Sequence, residues 1–430
     1  MVVGQGLTWV ITALTLALLP RYFGPEQMGR VALGLSYADI AATVAGLGMA
    51  TLVTRELARD RERGAELLGT ALWLNAGFGV LAAIFVAIAG ELAGYERSTQ
   101  LVIIALSVTV PFNLISLLAF GALQGLEVMR YQAIFDTFGK LSQLAVTLAV
   151  IGFNFSLGVY LAASIACTVT FALPTMVIVR RHVAYHPRRA SRRVARTLLL
   201  RGIPFCSASV LLVLYLGVDA VLLSLLSGER AVGIYGPASR IFGTLLFGPT
   251  IVMTVMFPRL AATAQDEPRE FSRLAGTALR TVAGITLPVA TLTIMMSGPI
   301  LGLLLGDAYE QSAPVMAVLA MALLPTSLNM MAHRVLVAVD RQRIWTYVMA
   351  VGLAAKILLD LALIEFAERA WGNPALGAAL GLLVVEAGMT VTAMMLIPAT
   401  IMDRSLAWYG ARLLAAAALS AMAVAMVPGH

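Results

Sequence analysis

Apolar residues along this chain run in blocks of about twenty, the length needed to cross a bilayer, rather than alternating as in a half-buried strand. The blocks predict helical spans at 2–20, 31–54, 69–89, 99–119, 134–153, 158–179, 202–226, 232–257, 275–305, 314–336, 345–364, 374–398 and 406–427. Only short polar segments separate them, so the spans are the fold itself and leave no room for a soluble domain. The first block lacks the basic start of a secretory signal and is followed at once by another span, which predicts a retained helix.

The longest polar stretch, 181–201, divides the chain. It predicts a lobe at 1–180, a basic linker at 181–201, a second lobe at 202–398 and an additional helix within 399–430. Internal repetition supports two similar halves. Gly24 and Gly29 in FGPEQMGRVAL match Gly228 and Gly233 in SGERAVGIYG, and Pro111 and Arg130 match Pro325 and Arg343 at nearly the same offset. Six helices per half return the chain to its starting side, so the repeats should be parallel, with a substrate site expected between them.

Composition agrees with a lipid-embedded chain. Hydrophobic residues make up 60% and charged residues 12%, and the mean hydropathy is +0.89, a balance foreign to water-soluble folds. The net charge of +7 carries topology rather than an affinity for nucleic acid, because the arginines gather in alternate loops: 55–63, Arg130, 180–196, 259–273 and 341–343. Those loops are expected on the cytoplasmic side with the N-terminus inside, although Arg21 runs against the bias. An upstream segment would account for the bare N-terminus, and the odd span count hints at a shortened C-terminus.

Several chemistries find no support. Cys167 and Cys206 lie in or beside apolar spans without metal-ligand company, and His182, His186, His333 and His430 show no ligand spacing. A phosphate-binding G-x-x-x-x-G-K-[ST] loop is missing, so neither cofactor nor nucleotide hydrolysis is expected, nor an enzymatic site.

Ionised side chains within spans are costly unless they face a partner or water, which makes each a candidate. Lys140 and Lys356, the only lysines, fall within a turn of equivalent depth in the two halves. They could hold phosphate from two walls of a cavity, or simply pair at i,i+4 with Asp136 and Asp360. Arg240 and Asp39 also occupy near-equivalent places and suit a substrate contact, a gate or a static salt bridge. Arg280 could line the cavity or snorkel to headgroups. Asp219 and Glu386 are isolated acids of the type that binds a coupling H⁺ or Na⁺. For Glu386 a hydrogen bond to a neighbouring helix is the plainer expectation, and Asn329 is of the type that glues helices.

The segments LLPRYFGPEQMGRVALGLSYADI, TLVTRELAR, LQGLEVMRY, LGVDAVLLSLLSGERAVGIYGPASRI and GNPALGAALGLLVVEAG resemble the O-antigen and polysaccharide flippases of the multidrug/oligosaccharidyl-lipid/polysaccharide exporter superfamily. The resemblance spans nearly the whole chain. It implies an all-α polytopic protein of 12–14 helices, with two pseudo-symmetric six-helix lobes around a central cavity, in the bacterial cytoplasmic membrane. It further implies alternating-access movement of undecaprenyl-diphosphate-linked oligosaccharide, with membrane lipids, polysaccharide polymerase and glycosyltransferases as partners. Thirteen spans depart from the family's twelve or fourteen. Two alternatives stay open: an ion-coupled exporter of cationic amphiphiles, disfavoured by deep cations at least as numerous as acids, and a scaffold whose deep charges only pair.

Overall fold

The computed structural model describes residues 2–183 and 192–397. Their regular structure is helical throughout: α1 Val2–Gly46, α2 Met49–Arg59, α3 Arg61–Leu92, α4 Arg97–Ser107, α5 Val110–Gly125, α6 Met129–Gly152, α7 Leu157–His182, α8 Arg192–Ser227, α9 Glu229–Leu245, α10 Phe247–Thr263, α11 Pro268–Met295, α12 Ser297–Leu305, α13 Ser312–Ala338, α14 Gln342–Trp371 and α15 Pro374–Leu396. Among the described residues ten helical segments are long and apolar enough to cross a membrane. The count is eleven when the pair 11–46 and 49–59, bent by 46°, is one span. The expected spans as far as α15 coincide with helical segments, but those at 31–54, 99–119, 232–257 and 275–305 are each built from two successive helices; the one at 406–427 lies outside the described residues.

Breaks within the spans have local causes. Gly24, at φ 74° and ψ 172°, divides α1 into two helices, in backbone territory that a side chain makes costly. Leu47 and Gly48, both at positive φ, turn α1 into α2. Pro111 lacks the N–H needed to continue the ladder, and a fresh helix, α5, begins one residue before it.

The repeat seen in the sequence is also a repeat of backbone shape. Gly228 adopts φ 81° and ψ 179°, close to its counterpart Gly24. Glu127 and Asp340, two residues before α6 and α14, both have positive φ, 60° and 58°. Those two helices therefore start in the same register, 213 residues apart in sequence.

The chain divides into two compact units between Leu225 and Leu226. α8, expected to open the second lobe, clusters with the first unit. The reason lies in its packing. Leu198 is wholly buried in a core with Leu52, Leu68, Leu118, Leu123 and Val179. A Cβ on Gly202 would lie 2.3 Å from the Leu47 carbonyl oxygen. Near its far end, the Ser224 hydroxyl hydrogen-bonds that of Tyr95 at 2.7 Å. The expected linker 181–201 is helical at both flanks, since His182 ends α7 and α8 begins at Arg192.

Small residues set the helix spacing in each unit, as expected where lipid competes for apolar contact. In the first, Gly121 and Gly125 of α5 meet Ala50 and Thr54 of α2, with backbone so close that an added Cβ would fall 2.5–2.8 Å from carbonyl oxygens. Thr54 Oγ1 donates to the Gly121 carbonyl at 2.8 Å. In the second, Gly377 and Gly381 of α15 bring that helix equally close to α14.

Candidate functional site

The structure separates the two lysines that the sequence pairs by depth. Lys140 on α6 is exposed, as is Asp136 one turn before it. Lys356 on α14 is fully buried, with its Nζ 4.0 Å from Oδ2 of the equally buried Asp360. The common register of α6 and α14 explains the difference. Its counterpart to Lys356 is Gln143, which bonds Tyr160 and Ser164 of α7, whereas Lys140 stands three residues earlier and is exposed. The expectation of two lysines on matching walls is corrected accordingly: Lys356 is enclosed among the helices of its own unit.

Other candidates divide by exposure. Asp39 of the first unit and Arg240 of the second are exposed, Arg280 is half-buried, and Asp219 is buried on α8. Arg334 is exposed, with its guanidinium 5.5 Å above the Phe257 ring, and His333 stacks on Trp345. Both contacts suit residues at a helix end.

Around Lys356 three helices contribute a polar layer. α14 carries Lys356 and Asp360, α15 carries Glu386, 4% exposed, and α13 carries Asn329, 3% exposed. Asn329 Nδ2 donates to Glu386 Oε2 at 2.7 Å and to the Glu386 carbonyl at 2.9 Å. Thr390 Oγ1 adds a bond to the Pro325 carbonyl at 3.1 Å. Glu386 thus bonds a neighbouring helix, as its isolated position led one to expect. What sequence reasoning missed is that Glu386, Asn329, Lys356 and Asp360 form one group.

Gly381 makes the group possible. A Cβ there would lie 2.2 Å from Asp360 Oδ1, so only glycine leaves the carboxylate its place between α14 and α15. The signal was present in the sequence as Gly377-x-x-x-Gly381, a spacing that lets helix backbones approach. Both oxygens of Asp360 and Oδ1 of Asn329 are buried without a hydrogen-bond donor. Such a layer could accept a proton or a small cation. Among the described residues no group of three or more His, Cys, Asp or Glu is arranged to hold a metal ion.

Comparison with known proteins agrees with this architecture. Residues 1–264 match the family model described as polysaccharide biosynthesis protein, and residues 204–361 match the MatE model. A Shigella flexneri protein assigned as an O-antigen transporter is 21% identical over 389 residues, covering 88% of this chain and 91% of the relative. Among solved structures, the inward closed conformation of the lipid II flippase MurJ aligns with a TM-score of 0.83 at 12% identity, covering 100% of this chain and 93% of that one. An inward-facing multidrug-resistance MATE transporter of the MOP superfamily aligns with a TM-score of 0.75 at 17% identity, over 93% and 96% of the two chains. At these identities the structural likenesses establish the fold.

Proposed function

The chain belongs to the polysaccharide biosynthesis protein family, and we propose that it is a flippase for lipid-linked oligosaccharide in the bacterial cytoplasmic membrane, with its N-terminus on the cytoplasmic side. The observation that carries this reading is the family match over 1–264, supported by the similarity, over 88% of this chain, to the Shigella flexneri protein assigned as an O-antigen transporter. The fold shared with a lipid II flippase is in keeping with a substrate of the same build, a polyprenyl diphosphate bearing sugar.

Moving such a molecule requires shelter for a diphosphate in a medium that rejects charge. Arginine and lysine suit that task, the first as a planar fork and the second as a point charge. We assign the diphosphate contacts to the exposed Lys140 and Arg240 and the half-buried Arg280. Asp39, Asp136 and Asp219 take the part of gate or ion-coupling acids. The substrate is an undecaprenyl-diphosphate-linked repeat unit of O-antigen, capsule or exopolysaccharide, and H⁺ or Na⁺ movement supplies the energy. Lys356 and Asp360 take the part of an internal pair and not of a diphosphate contact.

Complementation tests the assignment. Surface polysaccharide is scored in a deletion strain carrying Lys140→Ala, Arg240→Ala or Arg280→Ala, with membrane levels of each variant measured in parallel. Loss of polymer at normal protein level is the expected outcome. Full polymer from all three variants would end the cationic-contact reading, and normal polymer in the empty deletion strain would end the flippase reading itself.

A further inference from the structure

The internal repeat provides a control for the buried layer of the second unit. With α6 and α14 in common register, Gln143 and Thr147 are the counterparts of Lys356 and Asp360. In the first unit these positions carry neutral groups that satisfy one another. Gln143 Nε2 donates to the Tyr160 hydroxyl at 2.7 Å and to Ser164 Oγ at 3.2 Å, and Thr147 Oγ1 donates to the Gln143 carbonyl at 2.9 Å. The same helix pair thus packs well without charge. Charge in the second unit needs another explanation.

Cost sharpens the point. Each ionised group held in a dry, lipid-surrounded bundle is unfavourable by several kcal/mol unless paired and hydrogen-bonded. Here three ionisable side chains, Lys356, Asp360 and Glu386, share one layer at 0%, 0% and 4% exposure. Asp360 is poorly supplied, since Lys356 Nζ stands 4.0 Å away and no donor bonds either carboxylate oxygen. Asn329 spends its amide N–H on Glu386 and leaves its buried Oδ1 without a partner. Facing Asp360 from α15 is Gly381, with Glu386 farther along, where the neutral Asn329 of α13 bonds it; on α14 itself there is Lys356. The remaining ionisable residues of these helices, His333 and Arg334 on α13 and those from Arg343 to Tyr347 and from Glu365 to Arg369 on α14, lie toward the helix ends.

Fully ionised, the layer carries one positive and two negative charges, a net −1. One added proton makes it neutral and turns a carboxylate oxygen into an O–H donor. A buried acceptor such as Asn329 Oδ1 or the second carboxylate then gains a partner. We propose that Asp360 and Glu386 together hold one exchangeable proton, with Lys356 fixing the site's charge between −1 and 0. Binding adds H⁺ to a carboxylate oxygen and release returns it to water, with no other bond made or broken. That this proton drives transport rests on the flippase reading; that the layer binds it does not.

Infrared difference spectroscopy on the purified full-length protein in lipid nanodiscs separates the two. A pH step across the neutral range should give a carboxyl C=O band from a protonated acid, matched by loss of carboxylate bands. Asp360→Asn or Glu386→Gln should remove that band, whereas Asp266→Asn, at an exposed acid between α10 and α11, should leave it. No such band in the wild-type protein would overturn the proposal without any variant having to fold, as would a band unchanged in both variants. Replacing choline by Na⁺ tests the alternative ion: a carboxylate shift driven by Na⁺ at constant pH, with no C=O band, would assign the layer to a metal cation and overturn the proton. Polymer loss in the complemented strain plays no part in this readout, so the flippase reading can fail while proton binding stands.

Discussion

Gly377→Ala measures how much of the second unit's stability depends on close approach of α14 and α15. A Cβ at residue 377 would lie 2.2 Å from the carbonyl oxygen of Leu363 and 2.5 Å from its carbonyl carbon. Backbone atoms cannot swing aside as a side-chain tip can, so the helices must part until the contact reaches at least 3.4 Å, the lower edge of ordinary contact. Overpacking of this kind costs about 1–3 kcal/mol. The separation also strips packing from the dry layer that seats Asp360. Against this stands a gain of about 1 kcal/mol for replacing glycine within a helix. Gly388→Ala isolates that gain, because Gly388 lies on the same helix with nothing within 4 Å of its added Cβ. The two variants should therefore differ by about 2 kcal/mol, roughly 4–8 °C in apparent melting temperature for a unit of this size. Thermal unfolding in one detergent, followed by intrinsic fluorescence, reads the gap. Equal melting temperatures for the two variants would refute the claim that backbone proximity at Gly377 organises this unit.

Lys356→Met should be severely destabilising, by about 3–5 kcal/mol, since it leaves the buried Asp360 carboxylate without its cation. Lys356→Met combined with Asp360→Leu should recover most of that loss in the same melting assay, and failure of the pair to recover would argue against ion pairing as the cause. Gly24→Ala and Gly228→Ala should each cost about 1–3 kcal/mol, because φ near 74–81° with ψ near 180° is nearly closed to side chains; similar losses at both sites, seen as lower thermal stability, would confirm that they are one turn used twice. Thr54→Val removes a single interhelical bond to the Gly121 carbonyl and should cost only about 0.6 kcal/mol, so a fall of many degrees would mean that the hydroxyl does more than link α2 to α5.

Much of the architecture was legible in the residues because lipid imposes a strict demand: backbone polar groups must be satisfied within the segment, and the segment must be apolar for its full length. Runs of that kind placed every span as far as α15, and Gly24 with Gly228 disclosed the repeat because left-handed turns strongly favour glycine. Lys140 and Lys356, Asp39 and Arg240, Asp219 and Glu386 were conspicuous for the same reason, as charges in an apolar text. Sequence spacing could not say which way each pointed. What packs over each position decides its exposure: Gln143, in the register of Lys356, bonds α7, whereas Lys140 is exposed and Lys356 enclosed. Nor could it assign α8 to the first unit, since the polar stretch before that helix looks like a boundary while Leu198 and Gly202 commit it by packing. The meeting of Asn329, Lys356, Asp360 and Glu386 was decided by tertiary structure alone: residues 57 positions apart, Asn329 and Glu386, bond across α13 and α15, and glycines at 377 and 381 let α15 approach the α14 segment that carries Asp360.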